Sequence, residues 1–265
     1  MLYFCSMVKL SDISNKTIGL VLSGGGVKGV AHIGVIKALL EHGIIPDIVS
    51  GASAGAVVGA LYANGIQPLD MLYFFKETPL LKYNLLTINK PGLFDTNKYV
   101  VFFEKYFPNN TFESLEKQLY IVATNLQTGE PEFFSKGELL NAVLASAALP
   151  PVFSPVPIKG NLYADGGIMN NFPVEPLITT TQFIIGSYTT ALKPVGKNQL
   201  KNSFQLSQRA NLLMLHANVR DKLNIPNVLF TPNNLDDIGI LDKRGIEKAY
   251  TIGYNYASRL LDVKP

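Results

Sequence analysis

The sequence contains few of the residues that build disulfide frameworks, metal centres or membrane spans. Its single cysteine, Cys5, cannot form a disulfide within the chain, and its three histidines form no cluster with metal-ligand spacing. No apolar run reaches the roughly 18 residues that a membrane-spanning helix needs. We therefore expect a protein of a reducing compartment that uses no metal or other cofactor and does not cross a membrane.

Charged residues are also scarce, and they show no pattern of nucleic-acid binding. Asp, Glu, Lys and Arg make up 16% of the chain, the net charge is +3, and the Lys and Arg residues are scattered rather than clustered. The N-terminal segment MLYFCSMVKLSD carries its first Lys after its apolar residues, which reverses the order of a secretory signal. These features predict a cytoplasmic protein that binds no nucleic acid. They leave open a peripheral contact with a negatively charged membrane surface, and they do not fix the oligomeric state.

The apolar content is high enough for a substantial core. Apolar residues make up 47% of the 265 residues, and no tract rich in proline, glycine or serine divides the chain. The sequence has no internal repeat and no low-complexity segment. Because this length fits one α/β domain, we expect a single domain over residues 1–265.

Strand and helix patterns alternate in the first quarter of the chain. Residues 17–22 (TIGLVL) form a short β-branched apolar run, typical of a buried parallel strand, and a glycine-rich loop and a helical pattern over 30–43 follow it. Residues 46–51 (PDIVSG) then predict a second strand and residues 56–65 a second helix, and each helical pattern ends at a glycine. This βαβα order predicts a parallel sheet with helices on both faces.

The rest of the chain predicts further strands and helices. The aromatic-rich region 69–107 is typical of helices, which we place over one end of the sheet. Its apolar side chains line an acyl-chain groove, touch a membrane surface or fill the core. The main candidates are Leu72, Phe74, Phe75, Leu80 and Leu81. The remaining predicted elements are strands at 118–126, 131–135, 183–189 and 227–232, a strand pair that brackets 162–167, and helices over 138–150, 204–223 and 245–261.

The segment GASAG, Gly51 to Gly55, places a serine between small residues where a predicted strand meets a predicted helix. This is the G-x-S-x-G pattern of a nucleophile elbow, in which a sharp turn holds the serine hydroxyl out from the edge of the sheet. The helix beginning at Ala54 directs its unpaired amides and its positive dipole end towards the hydroxyl. Ser53 is therefore the candidate nucleophile, and the alternative is a tight turn that only needs small side chains.

A second glycine-rich segment, GGGVKG, extends from Gly24 to Gly29. Because these glycines lack Cβ atoms, their amides can approach and stabilise a negatively charged substrate oxygen. The same letters match the G-x-G-x-x-G pattern of a dinucleotide-binding fold, which needs an acidic residue at the end of the second strand. Here Asp47 lies at the start of that strand and Ser53 lies just beyond its end, which disfavours a dinucleotide site.

A serine nucleophile needs a base, and the sequence offers two candidates. His216 follows Asp165 and so completes the Ser, Asp, His order of α/β-hydrolases, but it lies inside a helical pattern, and only one βα unit precedes Ser53. Asp165 in YADGG is either a turn residue or a carboxylate base. His32 and His42 are predicted to be structural. The residues alone leave the choice between His216 and Asp165 open.

Four segments in order, GGGVKG, GASAG, ASAALPPVFSPV and YADGGIMNNFPV, resemble the patatin-like phospholipase family over about Ile18 to Pro176. The resemblance implies a three-layer α/β/α fold with a mostly parallel central sheet. It also implies a catalytic Ser-Asp dyad without histidine, in which Ser53 is the nucleophile and Asp165 is the base. Gly24, Gly25 and Gly26 match the family's oxyanion loop. Residues that support these motifs are Lys28, where many members carry Arg, and Gly29, Gly51, Gly55, Gly166 and Gly167.

The function that the resemblance implies is hydrolysis of carboxyl esters in phospholipids, lysophospholipids or simpler acyl esters, through an acyl-enzyme. The expected partner is therefore a lipid or acyl-ester substrate. Two other functions stay open: a catalytically silent lipid-binding or regulatory module, and an acyltransferase that uses the same acyl-enzyme. The acyl-chain preference is not fixed by these motifs.

Overall fold

The computed structural model describes residues 13, 15–79, 82–87 and 90–262, and within them a mixed sheet of eight strands forms the centre. Hydrogen-bonded neighbours follow the path β5-β6-β3-β2-β1-β7-β8, and β4 also pairs with β3. The five strands β1, β2, β3, β7 and β8 are parallel, whereas β4, β5 and β6 add antiparallel pairs. The strands are β1 (Ile18–Leu22), β2 (Ile48–Ala52), β3 (Gln118–Asn125), β4 (Pro131–Phe134), β5 (Val156–Ile158), β6 (Asn161–Ala164), β7 (Phe183–Ser187) and β8 (Val228–Phe230).

Helices cover both faces of this sheet. A short 3₁₀ turn, Gly26–Val30, follows β1 and leads directly into the first α-helix. The α-helices of the described residues are α1 (Ala31–Glu41), α2 (Ala54–Ala63), α3 (Pro68–Glu77), α4 (Val100–Phe103), α5 (Leu139–Ser146), α6 (Gly167–Asn170), α7 (Glu175–Thr180), α8 (Ser203–Ala217) and α9 (Ile246–Leu261).

Successive residues of the buried strands belong to different cores. Leu20 and Leu22 of β1 lie in a large apolar cluster with buried residues of α1, α2, α3, α5 and α9. Val21, between them, lies in a smaller cluster with Phe172 and Leu177 on the opposite face. This alternation follows from the two-residue period of a strand, and it explains why β1 is apolar at every position.

The predicted fold class, α/β with helices on both sides of a mostly parallel sheet, is confirmed. The strand pair β5 and β6 differs from the prediction, because it ends just before Asp165 rather than bracketing residues 162–167. The helix predicted over 204–223 ends at Ala217. No helix of the described residues is long and apolar enough to cross a membrane.

The aromatic region forms helices, as predicted, and its main side chains face the core. Leu72 and Phe74 of α3 are buried, and the Phe74 ring contacts the rings of Phe103 and Tyr106 edge-on. This arrangement agrees with the core-packing interpretation of these two residues. Three residues named from the sequence, Cys5, Leu80 and Leu81, lie outside the described residues.

Candidate active site

The register of the sheet brings the ends of β2 and β6 to one point on β3. β2 runs parallel to β3 with Ala52 opposite Val122, whereas β6 runs antiparallel to β3 with Ala164 opposite Thr124. β4 pairs with residues 121–124 of β3, and this range includes residues that also pair with β2 and with β6. Because a strand pairs with a different neighbour along each edge, β4 lies on one edge of β3, and both β2 and β6 lie on the other. The two strands therefore end towards each other, on either side of a single position of β3.

The residue after each of these strands is a residue predicted to be catalytic from the sequence. Ser53 follows β2 and Asp165 follows β6, so residues 112 positions apart in the sequence become neighbours. The Ser53 hydroxyl donates a hydrogen bond to Asp165 Oδ2 at 2.6 Å. The structure thus brings together the predicted nucleophile and the predicted carboxylate base.

Ser53 occupies a sharp turn between β2 and α2. Its φ of 53° and ψ of −124° are a combination that residues other than glycine rarely adopt. Although Ser53 is the N-cap residue of α2, its side chain caps no helix amide. The hydroxyl is consequently available to Asp165 and to a substrate, as a nucleophile elbow requires.

Asp165 is buried and held at both carboxylate oxygens. Oδ2 accepts the bond from Ser53, and Oδ1 accepts a hydrogen bond from the Gly167 N–H at 2.8 Å. The backbone carbonyl of Asp165 accepts a third bond, from the Thr124 hydroxyl at 2.9 Å. Burial raises the pKa of the Asp165 carboxyl to about 6, against the lowering effect of the hydrogen bonds from Ser53 and Gly167. The raised pKa makes this carboxylate a stronger base than an exposed aspartate.

The glycine-rich loop after β1 lies against Ser53. A Cβ atom at Gly24 would come within 3.0 Å of the Ser53 Cβ and 2.3 Å of the Asn171 Oδ1, so no larger side chain fits there. Gly26 has a φ of 57°, and its Cβ would meet the Ile240 carbonyl oxygen at 2.3 Å. The loop can therefore approach the serine closely only because these positions are glycines.

Two neighbouring amides of this loop have no hydrogen-bond acceptor among the described residues. The Gly24 N–H donates to the Asn171 carbonyl at 3.3 Å. Within the described part of the chain, the N–H groups of Gly25 and Gly26 donate to no backbone or side-chain acceptor. Of the three glycines predicted to form an oxyanion hole, Gly25 and Gly26 therefore have free donors, and Gly24 fixes the loop beside the serine.

The other motif glycines lie where segments of the site touch one another. A Cβ at Gly55 would approach the Leu22 carbonyl oxygen to 2.3 Å, and one at Gly166 would approach the Val122 carbonyl oxygen to 2.2 Å. A Cβ atom at each of the other three motif glycines would also come within 2.4–2.6 Å of a neighbouring atom. The pairs are Gly29 with Ala54, Gly51 with Gly55, and Gly167 with Asn171.

Lys28 lies within the glycine-rich segment, in the 3₁₀ turn Gly26–Val30. Its side chain is buried, with 9% of the residue exposed, and it forms no ion pair with any described residue. Burial lowers the pKa of the Lys28 ammonium, against the opposing effect of Asp236 and Asp237. The Lys28 side chain is therefore held inside the protein, within the glycine-rich segment.

The histidines lie outside the contact between Ser53 and Asp165. His32 is fully buried between the Ser187 hydroxyl at 2.7 Å and the Ser23 carbonyl at 2.8 Å, and burial lowers the pKa of this histidine to about 4. His42 contacts the Ala38 carbonyl and Asp262 at the end of α1. These contacts agree with the structural roles predicted for both.

His216 pairs with a tyrosine instead of with the carboxylate. Its Nδ1 lies 2.9 Å from the Tyr188 hydroxyl. Burial lowers the pKa of His216, and the positive charges of Arg220 and Arg209 lower it further. Since Asp165 bonds to Ser53 and Gly167, the geometry favours Asp165 over His216 as the partner of the serine.

Ser146 is a site residue to which sequence reasoning assigned no role. It ends α5 and is fully buried; its hydroxyl accepts a hydrogen bond from the Ser53 N–H at 2.9 Å and donates one to the Val122 carbonyl at 2.6 Å. Its own carbonyl accepts from the Gly166 N–H at 3.1 Å. Ser146 therefore holds the backbone at Ser53 and at Gly166, next to Asp165. Its only sequence signal was a place in the segment ASAALPPVFSPV.

Ser146→Ala is expected to lower kcat about 10- to 100-fold with little change in KM, because small displacements of a reacting group reduce the rate. The substitution leaves the Ser53 N–H and the Val122 carbonyl without their buried partner. Steady-state kinetics on a soluble ester and thermal unfolding measure both effects. The matched control is Ser154→Ala, a buried serine that binds Thr96. A kcat that falls no more than in this control would contradict the positioning role.

Comparison with known proteins gives a family match over the central part of the chain. Residues 20–178 match the family described as patatin-like phospholipase. The matched range contains the glycine loop, Ser53, Ser146 and Asp165. It covers more than half of the chain.

The chain is also similar to curated proteins and to a solved structure. The chain is 27% identical to "Lysophospholipase nte1" of Aspergillus fumigatus and 28% identical to the protein of that name in Emericella nidulans. Each alignment covers 94% of this chain but 18% of the relative, so the chain spans less than a fifth of their length. The crystal structure of VipD from Legionella pneumophila has a similar fold, with a TM-score of 0.53, 20% identity, and coverage of 93% of this chain and 67% of that one.

Proposed function

The chain belongs to the patatin-like phospholipase family, and on that premise we propose that it is a serine hydrolase that cleaves acyl esters of lipids. The observation that carries the proposal is the 2.6 Å hydrogen bond from the Ser53 hydroxyl to Asp165, beside a loop with two free amides. A strained elbow, a buried carboxylate of raised pKa and adjacent N–H donors are together what acyl transfer needs.

In the proposed acylation step, the Ser53 oxygen attacks the ester carbonyl carbon while Asp165 accepts the hydroxyl proton. The N–H groups of Gly25 and Gly26 donate to the negatively charged carbonyl oxygen, and the first turn of α2 adds its positive dipole. Asp165 then returns the proton to the oxygen of the leaving alcohol as its bond to the carbonyl carbon breaks. The products are the free alcohol and an acyl-enzyme on Ser53.

In the proposed deacylation step, water attacks the acyl carbon and gives one proton to Asp165. The bond to the Ser53 oxygen breaks, the proton returns to that oxygen, and a fatty acid leaves. Asp165 therefore acts as base and acid in each half of the cycle, and no second titrating group is needed.

We propose lysophospholipids as the first substrates to test, because the curated relatives carry the name lysophospholipase. Diacyl phospholipids and simple esters are the alternatives within the same chemistry. The test is labelling with a fluorophosphonate, located by mass spectrometry, followed by product analysis on each of the three ester classes. The proposal predicts a label on Ser53 and release of fatty acid from a lipid ester. An unlabelled Ser53 and no fatty acid from any class would refute it.

The activity is expected to rise with pH through about 6 and then level off. The base must be ionised, and burial raises the pKa of Asp165 to about 6, so protonation below that pH removes the base. In the pH profile of kcat/KM, the decrease on the acid side should fit the protonation of a single group. A limb centred near the ordinary aspartate pKa of about 4 would contradict the raised pKa.

A further inference from the structure

Helix α8 carries an apolar stripe on the side that faces solvent. Leu206, Leu213 and Met214 are 58%, 45% and 62% exposed, and Ala210 and Ala217 are exposed as well. Their spacing of three or four residues places them along one side of the helix. A surface helix normally turns such a stripe towards the core, so this outward stripe points to contact with something outside the described chain.

Positively charged residues lie before, within and after α8 in the sequence, between Glu175 and Asp221. Residues 176–220 contain five Lys and Arg residues and no Asp or Glu. One of the five, Lys193, pairs with Asp236 at 2.8 Å. The other four form no ion pair with any described residue: Lys197, Lys201, Arg209 and Arg220.

The residue that follows α8 contacts the short helix α6, which begins two residues after Asp165. Just beyond α8, the Asn218 side chain donates to the Ile168 carbonyl at 3.0 Å. Ile168 and Met169 follow Asp165 by three and four residues and are 37% and 40% exposed. Exposed apolar side chains thus occur both on α8 and on the turn that holds the carboxylate.

We propose that these residues form a docking surface for a bilayer that contains anionic lipid. The docking surface comprises Ile168, Met169, Lys197, Lys201, Leu206, Arg209, Leu213 and Met214. The inference rests on the proposed function, because a lipid hydrolase must meet its substrate at such a surface.

Charge and apolarity together favour a lipid occupant. A helix that lies in the membrane interface buries an apolar side among the acyl chains and places Lys and Arg at the headgroups. Unpaired positive residues in a segment without acidic residues match a surface of negative charge, and each one near that surface strengthens adsorption. A second copy of this chain would bring the same positive charges together.

Vesicle co-sedimentation tests the proposal. The chain with Ser53→Ala is used so that lipid is not consumed, with phosphatidylcholine vesicles that either contain or lack phosphatidylglycerol. We expect binding to the anionic vesicles that weakens at about 1 M salt, where charges are screened beyond about 3 Å. Lys197→Glu with Lys201→Glu should weaken it about tenfold or more, and so should Leu213→Gln with Met214→Gln.

Matched controls keep the substitutions comparable. Lys136→Glu with Lys159→Glu changes the net charge equally at exposed sites elsewhere, and Leu69→Gln with Tyr73→Gln removes equally exposed side chains from α3. Both controls should bind like the parent. Circular dichroism and thermal unfolding verify that every variant is folded.

Several results would overturn the docking surface. One is equal vesicle binding by the test variants and the control variants. Another is equal binding to vesicles with and without anionic lipid. A third is a dimer that dissociates in Leu213→Gln with Met214→Gln, in a protein that does not bind vesicles. Hydrolysis of a soluble ester by the unsubstituted chain is measured separately. Its absence would refute the proposed function, whereas its presence without vesicle binding would refute the docking surface alone.

Discussion

Ser53→Ala is expected to lower ester hydrolysis by a factor of at least about 10⁴, the scale of losing a covalent nucleophile. Without the hydroxyl no acyl-enzyme can form, and the amides of the glycine loop can only polarise the ester for attack by water. The fold should persist, because the hydroxyl caps no helix and, among the described residues, its hydrogen bond is to Asp165. Initial rates on a soluble ester, with thermal unfolding in parallel, measure the effect.

Ser50→Ala is the matched control for this substitution. Ser50 lies three residues earlier in β2, and its buried hydroxyl donates to the Pro173 carbonyl at 2.6 Å. Its removal should lower stability by about 1–3 kcal/mol, the cost of an unsatisfied buried acceptor, and leave Ser53 reactive. Equal losses of activity in the two variants would mean that the Ser53 hydroxyl has no special role.

Asp165→Asn is expected to lower kcat by about 10³- to 10⁴-fold, towards the upper limit for loss of a general base. The amide has nearly the same shape, so the turn should remain, but it cannot accept the serine proton. One of the two acceptor bonds, from Ser53 or from the Gly167 N–H, is also lost. Steady-state kinetics above pH 7 measure the loss where the unsubstituted carboxyl is ionised.

Asp47→Asn provides the control for removing a carboxylate. Asp47 lies before β2 and accepts a hydrogen bond from the Ile18 N–H at 2.7 Å, so its role is confined to the start of the sheet. It should keep the activity of the unsubstituted chain. An Asp165→Asn variant that is as active as this control would exclude Asp165 as the base.

The first part of the fold could be predicted from the sequence because its signals are local. A short apolar run, a glycine loop, a helical period and a glycine stop follow one another directly within residues 17–43. The elbow at Ser53 could be placed for the same reason, since it joins β2 directly to α2. Local patterns of this kind do not depend on distant parts of the chain.

The pairing of Ser53 with Asp165 could not be derived from spacing. It depends on the registers of β2 and β6 on β3, which place two distant strand ends on either side of one residue. The residues alone left Asp165 and His216 as alternatives, and only the family resemblance favoured Asp165. The contact of His216 with Tyr188 is likewise a long-range result of the fold.

Two further features had no usable signal. Ser146 is one small residue in a small-residue helix, and its bond to the Ser53 N–H depends on how α5 packs against β3. In α8 an apolar period of three to four residues would normally indicate a side that faces the core. The sequence pattern therefore predicted the helix without predicting its exposed stripe.

The most direct test of the Ser53 and Asp165 dyad is the rate at which Ser53 becomes acylated, followed by rapid quenching and mass spectrometry with a soluble ester. The rate is compared in the unsubstituted chain, Asp165→Asn and His216→Asn. We expect fast acylation of Ser53 in the unsubstituted chain and in His216→Asn, and acylation about 10³-fold slower or more in Asp165→Asn. Slow acylation in His216→Asn together with fast acylation in Asp165→Asn would contradict the dyad.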